Sequence, residues 1–161
     1  MRRLYLASLS YEAVNLEAAL NWSDSIKKQD AEEYFKGLSL QAQIFQELGK
    51  DGEALVAFEK MREVRPLDCR AHLAAADLYL EREELASARA AHERSTTLKK
   101  CKADGLAGLA EVCYARGDLA KAVKHYQAAL KARPEEVFFQ KALQQVQSEL
   151  DFRNEKYRLG K

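Results

Sequence analysis

The chain has 161 residues, with 26 Lys and Arg against 25 Asp and Glu, a net charge of +1. That balance leaves no excess of positive charge for neutralising duplex phosphates and no strongly anionic tail. With 47% hydrophobic and 32% charged residues, and only 2 Pro and 7 Gly, the composition excludes intrinsic disorder and argues against a turn-rich all-β fold.

In chain order, Arg2 and Arg3 precede Leu4-Tyr5-Leu6-Ala7, but Ser8, Ser10 and Glu12 break the apolar run too early for a signal sequence. Leu4, Ala7, Ser8 and Tyr11 instead form one helical stripe, and Glu17-Ala18-Ala19-Leu20-Asn21-Trp22 starts a second helix. Over 35–68, Leu38, Gln41, Ala42 and Phe45 mark one helix face, and Gly49-Lys50-Asp51-Gly52 supplies a turn. A second stripe, Ala54, Leu55, Phe58, Met61 and Val64, runs to Pro66, which ends it.

The same pattern returns over 69–102 and 103–136. At an offset of 34 residues, Ala42, Ala76 and Ala110 share a column, as do Ala54, Ala88 and Ala122. Phe45 aligns with Tyr79 and Cys113, Phe58 with His92 and Tyr126, Gly49 with Gly117, and Pro66 with Pro134. The small columns predict close helix approach, with the aromatic columns filling the space beside it. Beyond 136, Phe139, Leu143, Val146 and Leu150 form a last apolar stripe. Gln140, Gln144 and Gln147 lie where internal units face a following helix, as a solvating cap requires.

These residues resemble the tetratricopeptide repeat family. Residues 103–136 carry its pattern best, in Leu106, Leu109, Ala110, Gly117, Ala122, Tyr126, Ala129 and Pro134. Residues 35–68 follow, whereas 69–102 departs at His72, His92, Ser95 and Lys100 and is expected to be the least stable unit. The resemblance implies an all-α fold, a right-handed superhelical array of antiparallel helix pairs. One domain, 1–161, is expected: a degenerate repeat at 1–34, repeats at 35–68, 69–102 and 103–136, and a capping helix and tail at 137–161.

No catalytic, metal or cofactor site is legible. His72, His92 and His125 lie in three helices without ligand spacing, and His92 replaces an aromatic packing residue. Cys69, Cys101 and Cys113 show no CxxC spacing, so three free thiols in the cytoplasm are the default. The glycines read as turn residues. The family places function in a concave groove lined by first helices, and the columns facing it name Tyr5, Leu9, Gln43, Leu73, Asp77, Leu80, Ala107, Glu111 and Tyr114.

Charges on an exposed helix face need no special reason, but apolar residues beside them outside the core suit a protein-binding surface. Co-chaperones of the family grip acidic chain termini with Lys, Asn and Arg in these columns, where Asp77 and Glu111 would repel such a ligand. The reading is a non-enzymatic scaffold for a protein segment, apolar with a basic residue. A self-associating assembly subunit and a small secretion-type chaperone are the alternatives. A basic patch (Lys99, Lys100, Lys102, Lys121, Lys124, Lys131 and Arg133) lacks the interleaved aromatics of a nucleic-acid surface.

Overall fold

The computed structural model describes residues 16–24 and 30–159. Among them are eight helices and no strand: α1 (Leu16–Asp24), α2 (Ala31–Glu47), α3 (Asp51–Val64), α4 (Cys69–Glu81), α5 (Leu85–Thr97), α6 (Lys102–Ala115), α7 (Leu119–Ala132) and α8 (Val137–Leu159). The chain is an all-α array of the repeat type. The stripe expected near 4–11, with Tyr5 and Leu9, lies outside the described residues.

Two compact units make up the chain, Met1–Ala71 and His72–Lys161. In the first, α1 packs on α2 and α2 on α3. Asp30 caps α2 by accepting from the backbone N–H groups of Glu32 and Glu33 at 3.1 and 3.0 Å. Ala42 and Ala54, the small columns, are fully buried, as are Phe35 and Ile44. In the second unit α6 packs on both α5 and α7, and α7 on α8. Its core joins Ala107, Ala110, Ala122, Tyr126, Phe139 and Val146. Gln140 and Gln144 of α8 face solvent, and the helix continues to Leu159 with every residue after Leu150 exposed.

The first helices of the three central repeats end in one geometry. Lys50 N–H donates to Phe45 O at 2.7 Å, Glu84 N–H to Tyr79 O at 2.8 Å, and Asp118 N–H to Cys113 O at 2.9 Å. This closure puts the residue before each donor in the left-handed region. Gly49 and Gly117 adopt it at φ 67° and 76°, and Glu83, in the same column, is forced into it at φ 58°. The glycines do not all mark turns, however. Gly37, Gly105 and Gly108 lie inside helices and are buried, and Gly52 lies in the first turn of α3. The cysteines also depart from expectation: Cys113 is free, but Cys69 and Cys101 are disulfide-bonded.

Candidate functional site

Within the second unit, α4, α6 and α8 bring the expected columns onto neighbouring surfaces. Asp77 stands on α4 with 59% of its side chain exposed, and Glu111 on α6 is half-buried. Leu73 and Leu80 are half-buried, and Tyr114 is exposed. Ala107 differs from the expectation of an apolar residue outside the core. At 4% exposure it is part of the core, because its small side chain faces the close contact between helices. Gln43, in the first unit, is exposed.

Tyr114 opens onto an apolar recess of about 350 Å³, walled by Tyr126, Phe138, Ala142 and Val146, with Lys141 and Gln145 at its edge. Lys141 and Gln145 continue the columns of Ala107 and Glu111 one repeat further on. Phe138 and Tyr126 were not legible as site residues. Phe138 falls between the stripe positions of α8, and the Tyr126 column signals packing alone. Phe138 is 58% exposed, so an aromatic ring stands at the rim of an aromatic-lined recess.

Beside this recess lies a polar arrangement. His92 fills the slot that Phe58 and Tyr126 fill in the neighbouring repeats, with 1% of its side chain exposed. Neither of its ring nitrogens has a hydrogen-bond partner, and Nε2 lies 3.7 Å from Asp77 Oδ1. The ring fits because α6 carries glycine against it. A Cβ on Gly108 would stand 2.1 to 2.5 Å from three ring atoms, and one on Gly105 would stand 3.1 Å from His92 O.

Loss of hydration sets the charge states here. It pushes the Asp77 carboxyl up to about 6, helped by the like charges of Glu81 and Asp104. Glu111 is also raised, by burial first and by Asp77 second. Burial holds His92 down to about 4. Arg133, a nearby cation, is engaged elsewhere through a bidentate pair with Asp104 at 2.7 and 2.8 Å.

Other features carry less chemistry. A recess of about 240 Å³ includes Leu109, Val112 and Cys113, and pairs Arg89 with Glu93 and Lys121 with Asp118 along its wall. Burial raises the Cys113 thiol, which makes it a poor nucleophile. Among the described residues no group of three His, Cys, Asp or Glu side chains could hold a metal ion. Pairing of Lys121 with Asp118 and of Arg133 with Asp104 breaks up the basic patch. No described helix is long and apolar enough to cross a membrane.

Residues 103–136 match the family model described as tetratricopeptide repeat. No curated protein sequence matches the chain. Among solved structures, MamA 41-end from Desulfovibrio magneticus RS-1 is similar at a TM-score of 0.68 and 18% identity, over 92% of this chain and 84% of that one. A thermophilic TPR protein of Thermus thermophilus, TTC0263, is similar at 0.67 and 19%, over 89% and 79%. The first TPR of Spaghetti (RPAP3), bound to the HSP90 peptide SRMEEVD, is similar at 0.61 and 18%, over 78% and 97%. Residues 103–136 thus match a tetratricopeptide repeat, and the chain shares the fold of solved structures that include tetratricopeptide-repeat proteins.

Proposed function

We propose that the chain is a non-enzymatic interaction scaffold, and that Leu73, Asp77, Leu80, Glu111 and Tyr114 line the surface that takes a partner segment. The observation that carries the reading is the aromatic recess at Tyr114 and Phe138, next to an acid pair at Asp77 and Glu111. An apolar side chain gains by entering the recess, and a basic neighbour gains from the acids. The neighbour from RPAP3 takes the acidic peptide SRMEEVD. Asp77 and Glu111 would repel such a ligand, so the partner here has the opposite sign. Ala107, being buried, supports the surface from beneath; Tyr5, Leu9 and Gln43 hold the same columns in the sequence of the first unit. No cofactor or catalytic residue enters this reading.

Peptide selection from a random display library tests it. Enriched sequences should pair an aromatic or aliphatic residue with Lys or Arg. They should lose binding to Tyr114→Ala and to the Asp77→Lys/Glu111→Lys variant, by about 1 kcal/mol or more per desolvated contact. Enrichment of acidic peptides, or binding unmoved by either variant, overturns the proposal.

A second reading has one observation behind it. Phe152 and Leu159, seven residues apart on one face at the end of α8, are 68% and 85% exposed, an apolar stripe that could join copies of the chain. Light scattering over a concentration series separates the two, and a monomer throughout removes self-association. A cytoplasmic setting belongs to the scaffold reading. The bonded Cys69 and Cys101 count against it, because stable disulfides are uncommon in reducing compartments.

A further inference from the structure

Resting on the scaffold reading above, we propose that the acid pair Asp77 and Glu111, with the buried His92 ring against Asp77, receives the cationic head of a partner's arginine or lysine and releases it on acidification. The inference starts from an imbalance. Buried imidazoles ordinarily find hydrogen-bond partners, yet both nitrogens of His92 lack one while Nε2 points at Asp77 Oδ1 from 3.7 Å. The ring is also confined, since the α6 backbone at Gly108 lies directly against it.

The charges around the ring are acids with one engaged cation. From α4 come Asp77 and Glu81, and from α6 come Asp104 and Glu111. From α7 comes Tyr126, whose hydroxyl is raised by burial and by Glu111, and just past its end comes Arg133, which Asp104 and Glu136 hold. Tyr114 on α6 faces Glu149 and Gln145 instead. Asp77 and Glu111 form no ion pair with any described Lys or Arg. A positive charge is what this acid pair lacks, and a proton or a ligand's cationic head can supply it. The aromatic recess between Tyr114 of α6, Tyr126 of α7 and Phe138 of α8 takes the apolar residue of a ligand that also carries the cation.

Competition between the two sets the pH dependence. Asp77 is pushed up to about 6, so near pH 7.5 its carboxylate is available and near pH 5 a proton occupies it. A ligand cation that must displace this proton binds about tenfold more weakly at pH 5 than at pH 7.5. Protonation of Glu111, also raised, acts in the same direction. His92 stays neutral across most of this range, so it lies against Asp77 without competing as a cation.

The test uses three probes of known structure with the full chain: acetyl-Phe-Arg-amide, its citrulline analogue, and acetyl-Phe-amide. Binding is followed by two-dimensional amide NMR, with circular dichroism at each pH confirming the fold. The arginine peptide should shift the amides around Asp77, His92 and Glu111 and lose about tenfold in affinity from pH 7.5 to 5. The citrulline peptide should bind more weakly with a flat profile. Asp77→Asn should weaken the arginine peptide and flatten its profile. Equal binding of arginine and citrulline peptides, or an unchanged profile in Asp77→Asn, overturns the inference while leaving the apolar recess in place. If none of the three probes perturbs residues 111–146, the scaffold reading of this surface fails as well.

Discussion

Replacing Gly108 by Ala gives a sharp test of how the second unit is packed. Gly108 lies inside α6, where alanine is ordinarily preferred over glycine by about 1 kcal/mol. Here the added Cβ would sit 2.1, 2.2 and 2.5 Å from Cε1, Nδ1 and Nε2 of His92, so the ring must move by roughly 1 Å or more to reach ordinary contact. His92 is 1% exposed and has little room to do so. Overpacking of this kind costs about 1–3 kcal/mol; set against a helix preference of about 1 kcal/mol, Gly108→Ala should lose up to about 2 kcal/mol. Gly52→Ala is the control, because no atom lies within 4 Å of its added Cβ, and it should be neutral or slightly stabilising. Urea unfolding of both variants, with His92→Ala and the His92→Ala/Gly108→Ala pair, completes a double-mutant cycle. The pair should be more stable than the sum of the single losses by about 1 kcal/mol or more. A Gly108→Ala variant as stable as Gly52→Ala would refute the contact.

Four further outcomes follow from particular residues. Glu83→Gly should raise stability by up to about 1 kcal/mol in thermal unfolding, since it relieves a left-handed φ of 58°; a loss would contradict the shared turn geometry. The unfolded chain binds more protons than the folded one between pH 6.5 and 4 at His92, and fewer between 3.8 and 6 at Asp77. Lowering pH from 6.5 to 4.5 therefore costs stability through His92 and restores it through Asp77, so Asp77→Asn should lose more than wild type and His92→Asn less, and parallel curves would count against both assignments. Alkylation of the unfolded, unreduced chain should add one label, at Cys113, rising to three after reduction. Hydrogen exchange should open α5, with its unpartnered buried His92, before α7, and equal protection would remove the reason given for uneven stability.

The helical array was legible because it repeats. Ala42, Ala54, Ala110 and Ala122 are each fully buried, and a small residue recurring where helices meet leaves a mark in the sequence at every turn of the array. Turn geometry was legible where glycine occupied the column and hidden where Glu83 did, since a strained residue carries no signal of its strain. Gly105 and Gly108 misled for a related reason. Glycine signals a turn when read alone, and its other use, admitting a neighbour's ring, appears only when the partner helix is in place. The disulfide-bonded Cys69 and Cys101 lie outside any local motif, so spacing could not reveal them.

The site divides along the same line. Asp77 and Glu111 share one column of the 34-residue offset and Tyr114 stands in another, so they could be named from the sequence, whereas Ala107, named the same way, is buried in the core. The chemistry beneath them depends on the places where the repeat breaks its own rule. His92 occupies an aromatic slot with a polar ring, and Gly108 supplies the missing volume on the facing helix, two departures that fit each other in space. Taken singly, each weakens the repeat: an imidazole without partners costs desolvation, and a mid-helix glycine costs backbone entropy. Together they bring a buried base against Asp77 and leave that carboxylate short of a positive charge. Sequences that fold consistently tend to violate local preference where function draws on the strain. In this chain the paired violation joins His92, in the repeat that departs most from its neighbours, to Gly108 on the facing helix of the next repeat.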